Sequence, residues 1–421
     1  MKPVRMLILP VIWTLLLTPV QAAEVEHASL IEVEAAYAPE VSGWQKQEIV
    51  WRPEWIARFE SGMRLTLLGE GRLDAKDELD PGRPDQPFRA GLTQKSFPGD
   101  HADVELREFY LDHYVGDAFV RLGKQQIVWG QADGLRVLDV LNPLSYREFI
   151  LPDIENRRIP LWSALTEIAL DNGTAQIVWI PDATVTKSTL PGATYSLIPD
   201  PFAGEGRLEV DRPDSFAKSD FGLKLSTFQQ GWDLSLNYLY HTIDDPLIQF
   251  DPSEQLIRAD YNRSHLIGGT ASKPVGDVTF RSEIGLESEK RSLDPATGQV
   301  RKSEVASYVL GLDYSGFSDW FISTQFFQTY RFSTERDEEP SNEQFTLLVR
   351  RDAMNNALLL EVLGIYDLNN RDSLIQLEAE YSVSTNVVLR TGADLFFGKR
   401  TGTFGQFHDE SRLSAGFTLS F

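Results

Sequence analysis

The last ten residues, "RLSAGFTLSF", place Leu413, Ala415, Phe417, Leu419 and Phe421 at alternate positions, with polar or small residues between them. The same period of two runs through "GWDLSLNYLYH", where Trp232, Leu234, Leu236, Tyr238 and Tyr240 oppose Asp233, Ser235, Asn237 and His241. It recurs in "VTFRSEIGLE", "LIQLEAEYS" and "VLRTGADLFFG". Successive side chains of a strand point to opposite faces, so each segment has one apolar and one polar wall. The pattern predicts eighteen strands, near 29–38, 47–60, 62–70, 102–114, 117–129, 161–171, 173–181, 217–228, 231–242, 256–271, 276–289, 303–314, 319–331, 343–352, 356–367, 371–383, 385–397 and 412–421. Pro53 weakens the second of them, which leaves sixteen as the alternative count.

The joints between these strands separate the folds that share this alternation. From the second strand onward every other joint is tight, for example "VGD" at 115–117, "DNG" at 171–173 and "FQQG" at 228–231. The joints between them are mostly long and polar, including 71–101, 130–160, 182–216 and 398–411. A soluble β-sandwich has no reason to sort its loops by length in this way. Short turns on one side and long loops on the other are the layout of an outer-membrane barrel. The expected fold is therefore all-β, a single transmembrane antiparallel up-and-down β-barrel.

The two ends of the chain agree with this reading. Lys2 and Arg5 precede an apolar stretch from Met6 to Val20, and Ala22 and Ala23 follow, the three-part layout of a secretory signal peptide over residues 1–23. Residues 24–421 would then form the barrel. No later apolar run reaches the ~20 residues of a spanning helix. A closed barrel is the other structure that satisfies every backbone group in lipid. Phe421 then sits on a strand that closes onto the first one. It is also the residue expected to present the chain to the barrel-insertion machinery. Outer-membrane lipid and lipopolysaccharide would surround the wall, and the aromatic strand ends at Trp232, Tyr314, Trp320 and Tyr366 suit its interfaces. The chain has no cysteine, which removes disulfides and thiolate metal sites. A formal charge of −22 disfavours nucleic acid, whose phosphates require clustered Lys and Arg.

One segment departs from the alternation. In "FVRLGKQQIVWGQADGLRVLDVLNPLSYREFILPDIENRRIPLWSALTEI", residues 119–168, the strand pattern stops after Trp129. Leu135, Val137, Leu138, Val140, Leu141, Leu144, Phe149, Ile150 and Leu151 make the following loop too apolar for a solvated coil. The barrel interior is the nearest cover, so residues 131–158 are expected to fold inward after the fifth strand and narrow the lumen. Arg136, Asp139, Arg147, Glu148, Arg157 and Arg158 are the candidate constriction and solute contacts, because fixed guanidinium groups grip carboxylate or phosphate with two prongs. Strand charges expected to face the lumen are Lys224, Arg281, Glu283, Glu378, Glu380, Arg390, Asp394 and Arg412.

"RLGKQQIVWG" followed by "LDVLNP" resembles the strand-and-loop core of a family of Gram-negative outer-membrane barrels catalogued mainly as a domain of unknown function and similar to alginate-export-type porins. Arg121, Gly123, Gln125, Trp129, Gly130, Asp139, Asn142 and Pro143 carry the resemblance. It implies an outer-membrane porin or substrate-preferring channel for small solutes, and the loop arginines point to anionic or carboxylate-bearing ones; no enzyme is expected. His241 beside Asp244 and Asp245 lacks the converging nucleophile and base that hydrolysis needs, and no cofactor or metal is expected. Two other functions compete. One is a barrel moving hydrophobic or lipid-like molecules with a periplasmic partner. The other is a surface-interaction barrel that uses the long loops 182–216 and 332–342.

Overall fold

A computed structural model describes residues 22–189, 192–196, 207–211, 218–251, 256–293, 299–332 and 341–421. The expected signal peptide lies outside them, except for Ala22 and Ala23, which already belong to the first strand. Among the described residues eighteen antiparallel strands form one closed barrel. They are β1 (Ala22–Ala38), β2 (Gly43–Phe59), β3 (Arg64–Asp74), β4 (Ala102–Val115), β5 (Ala118–Gln125), β6 (Leu161–Leu170), β7 (Gly173–Ile180), β8 (Asp220–Gln229) and β9 (Trp232–Thr242). The second half comprises β10 (Arg263–Val275), β11 (Val278–Leu293), β12 (Val300–Tyr314), β13 (Trp320–Arg331), β14 (Ser341–Ala353), β15 (Leu358–Asp367), β16 (Asp372–Ser384), β17 (Val387–Phe397) and β18 (Arg412–Ser420).

Each strand pairs with its chain neighbours, and β18 returns to β1 from Leu30↔Ser420 to Tyr37↔Leu413. Ser29 and Phe421 then exchange backbone hydrogen bonds of 2.7 and 3.0 Å. The terminal strand that stops on an aromatic residue is thus the seam of the cylinder, and closure leaves no unpaired edge there. Pro53 does not shorten β2, which runs for 17 residues like β1. The β2–β3 ladder skips from Trp51↔Gly71 to Glu54↔Leu68 in unchanged register. Gly69 leaves room for the proline ring, since a Cβ there would lie 3.4 Å from Pro53.

Two strand boundaries differ from the sequence reading. The strand expected over 117–129 ends at Gln125, because the chain turns inward four residues earlier. The strand expected over 256–271 is divided. Leu256–Asp260 pairs with Leu247–Asp251 and Arg207–Asp211 in a small separate sheet, and the barrel resumes at Arg263. Leu247–Asp251 and Leu256–Asp260 pair with each other within their own long joint, and this local pairing competes successfully for that stretch.

The loops are sorted as expected. At one end lie the turns 60–63, 116–117, 171–172, 230–231, 276–277, 315–319, 354–357 and 385–386. The other end carries 75–101, 126–160, 398–411 and the described parts of 181–219 and 243–262, together with the short joints 39–42 and 368–371. The phase of the wall also holds. Leu236, Leu377 and Phe417 are exposed on the outer surface, while Asn237, Glu283, Asp394 and Arg412 are buried on the inner one.

Candidate functional site

The segment 126–160 enters the barrel and crosses it. Its neck is built from the residues that carry the family resemblance. Gly123 has φ +135°, and a Cβ there would lie 2.1 Å from the Phe109 carbonyl oxygen, so only glycine fits. The bend ends the regular alternation of β5, after which both Lys124 and Gln125 are buried. Arg121 braces the strand below through two bonds to Asp112, of 2.6 and 2.9 Å. The Asn142 side chain accepts from the Ile127 amide at 2.7 Å and donates to the Ile159 carbonyl at 2.9 Å, joining the two legs of the loop. The Pro143 carbonyl accepts from the Ile159 amide at 2.8 Å.

Beyond the neck, Trp129 is buried and donates to Gln176 on β7 at 2.6 Å. Gly130 (φ +89°) passes so close to Glu283 on β11 that a Cβ would meet its carboxylate at 2.7 Å. Glu283 accepts from the amides of Gln131 and Leu138, each at 2.6 Å. Asp133 reaches Arg281 at 2.5 Å and receives Gln325 of β13. Val137, Leu138 and Leu141 pack with Leu165, Val178, Leu239, Leu266 and Val309 of the wall. The apolar half of the loop thus fills the lumen against β6–β12, driven by burial of about 25 cal/mol per Å² of apolar surface.

The second half of the loop meets the opposite wall. Arg147 pairs with Glu48 of β2, with Asp74 of β3 at 3.0 Å and with Glu148 at 3.3 Å. Glu148 in turn holds Lys46 and Arg412, each at 3.0 Å. Burial alone would raise the Glu148 carboxyl, but Lys46, Arg412 and Arg147 outweigh it and hold the group well below the usual carboxylate range. The Leu151 carbonyl accepts from Gln376 of β16 at 3.1 Å. At the long-loop end, Phe149, Tyr195, Phe396, Phe404 and Phe407 form a second buried cluster.

Between this half of the loop and the strands β1–β3 and β16–β18 lies a cavity of about 200 Å³. Of the six charged residues singled out in the loop, Arg147, Glu148 and Arg157 line it. The other three face the loop itself. Arg158 grips the Asp139 carboxylate at 3.0 and 2.5 Å. Arg136 donates to the carbonyls of Asp139 and Asn142 at 2.6 and 2.8 Å. Glu378, Arg390, Asp394 and Arg412 line the cavity as their alternation implied, whereas Arg281 and Glu283 anchor the loop.

Glu32, Glu34, Lys46, Glu48, Arg52 and Arg72 line the cavity as well and were missed in the sequence reading. Their signal is present in "LIEVEA", "KQEIVWR" and "GEGRLD", where charged residues alternate with others along the first three strands. The cavity lining carries seven basic and seven acidic side chains, so no net charge dominates. Arg52 pairs with Glu32 at 3.0 Å, Lys46 with Glu34 at 3.0 Å, and Arg412 with Asp394 at 2.7 Å. Arg157, only 6% exposed, makes no ion pair among the described residues, and its Nε donates to the Pro152 carbonyl at 2.9 Å. Burial lowers this guanidinium to about 10.

The family model described as "Protein of unknown function (DUF1302)" matches residues 80–290, half of the chain and all of the loop. The chain belongs to the DUF1302 family. No curated protein matches it in sequence. Solved structures match this DUF1302 chain over nearly its whole length at very low identity, which establishes a shared fold. Acinetobacter baumannii OccAB3 is 9% identical with a TM-score of 0.52, covering 94% of this chain and 99% of that one. A BenF-like porin from Pseudomonas fluorescens is 11% identical with a TM-score of 0.53, covering 95% and 98%. Pseudomonas aeruginosa OpdK with vanillate is 9% identical with a TM-score of 0.52, covering 94% and 98%.

Proposed function

We propose that this chain is a substrate-preferring channel of the outer membrane for small carboxylate-bearing solutes, which pass along the cavity between the inward loop and β1–β3 with β16–β18. The observation that carries the reading is Arg157, a buried guanidinium on the cavity wall with no carboxylate partner among the described residues. A buried charge without a partner is costly, and an entering anion relieves that cost. Asp153 and Glu378 also line the cavity without an ion pair among the described residues, which suits a hydroxyl or amino group elsewhere on the solute. An apolar cavity of ~150 Å³ holds a benzene ring, so about 200 Å³ accommodates a ring with a carboxylate. The porin fold shared with OpdK, whose structure carries the carboxylate vanillate, accords with this reading. Export behind a signal peptide over 1–23 belongs to the same proposal.

The apolar residues of the loop, which motivated a barrel for hydrophobic molecules, are engaged in packing against the wall. Of the loops that motivated a surface-interaction barrel, about half of 182–216 and most of 332–342 lie outside the described residues.

Purified protein in planar bilayers tests the proposal. Discrete conductance steps in potassium chloride are expected, with a benzoate permeability that Arg157→Gln lowers several-fold while chloride conductance is retained. Silence in every salt overturns the channel. Equal benzoate permeability in the two proteins overturns the carboxylate preference.

A further inference from the structure

A second cavity of about 20 Å³, room for one water, lies at the long-loop end beneath the segment 75–101. It shares two lining residues with the larger cavity, Arg72 and Arg147. The partition between the two is therefore made of side chains. Its bonds are unequal. Arg147 is held by Glu48, by Asp74 at 3.0 Å and by Glu148 at 3.3 Å. Arg72 bonds Glu70 at 3.0 Å but stands 3.9 Å from Glu48 and 4.0 Å from Asp103, and its Nε is buried without a hydrogen-bond partner.

We propose that Arg72 and Arg147 form a closed gate between the two cavities, opened when a carboxylate of the passing solute replaces Asp74 on Arg147. The inference rests on the channel reading above and names its closing element. Exchange of one carboxylate for another keeps the Arg147 guanidinium paired throughout, so the buried cation is never left bare. A neutral solute offers no such replacement, and opening for it would break the buried Arg147–Asp74 pair with nothing in exchange. The displaced Asp74 stays tethered, since its other carboxylate oxygen accepts from the Lys76 amide at 3.0 Å. The unsatisfied Nε of Arg72 gives the arriving anion a second donor on the same partition. The gate thus selects by charge exchange, separately from the unpaired Arg157 deeper in the loop.

Single-channel recording on the full barrel tests this. In wild type, millimolar benzoate should raise the ratio of open to closed time, and benzamide, of the same shape without charge, should not. Asp74→Asn keeps the oxygen that receives the Lys76 amide and removes the charge that competes for Arg147. It should raise the open-to-closed ratio without benzoate by roughly tenfold, the size of one lost charge-assisted hydrogen bond. Glu48→Gln gives an independent reading of the same latch and should act in the same direction. Heat-dependent mobility in detergent gels reports that each variant is a folded barrel. Conducting channels whose open time ignores benzoate and is unchanged in both folded variants overturn the gate and leave the channel standing. Absence of conductance from wild type as well as variants overturns the channel reading itself, and the gate with it.

Discussion

Single side chains in this barrel are fixed by contacts that leave little freedom. Gly123 is the sharpest case, with φ +135° and the Phe109 carbonyl 2.1 Å from where a Cβ would stand. Gly123→Ala is expected to reduce the folded fraction in a heat-modifiability assay, since such a backbone costs a non-glycine residue roughly 1–3 kcal/mol even before the clash. Glu148 sets a pH dependence. Its folded carboxyl lies below the ordinary 4.5 because three cations outweigh burial. The stabilisation is present above 4.5 and is lost as pH falls below it, because the unfolded chain then binds the proton more readily. Thermal stability should drop on acidification below 4.5, and Glu148→Gln should flatten that dependence in a melting series. An unchanged acid slope in Glu148→Gln would assign the loss to other carboxylates.

Strands and the loop behave as units with two faces. In β16, Leu377 lies outside and Glu378 lines the cavity. Arginine on the lipid face near the midplane costs about 2–4 kcal/mol. Leu377→Arg should therefore lower the yield of folded barrel in lipid vesicles, while Glu378→Arg should insert normally and alter ion selectivity. The reverse outcome would invert the phase of the whole wall. The loop shows the same division along its length. Residues 127–141 pack their apolar side chains against β6–β12, and residues 147–157 present charge to β1–β3 and β16–β18. Its inward course was legible because nine apolar residues in one loop demand cover and the lumen is the nearest. Which wall each half would face was not legible, because that depends on where β5 stands in the closed ring.

At the scale of the whole molecule, closure is the decisive event. β18 seals against β1 over Leu30–Tyr37, and the last bonds of the seam are the reciprocal pair between Ser29 and Phe421. Removal of Phe421 deletes those two bonds and the aromatic at the rim, which is 63% exposed and proposed to present the chain to the insertion machinery. Refolding into vesicles should slow or fall in yield, as read by the heat-modifiable band, while barrels that do close should conduct as wild type. Refolding at the wild-type rate would mean that the seam closes without its final residue.

Most strand positions, their inward and outward phase, the sorting of turns and loops, and the need of residues 131–158 for cover are legible in the sequence; the end of β5 at Gln125 and the division of 256–271 are not. The legible features follow from period-two alternation and local composition, which act between residues close in the chain. The tertiary structure alone decided which charges meet. Lys46, Glu48 and Arg72 are separated from Arg147 and Arg412 by long stretches of chain, and they become neighbours when the ring closes and the loop folds across it. Arg136, Arg147, Arg157 and Arg158 look alike in the sequence. Their roles diverge because a guanidinium is satisfied or left open by partners a few ångströms away, a distance set by the barrel's register and by nothing local to the loop.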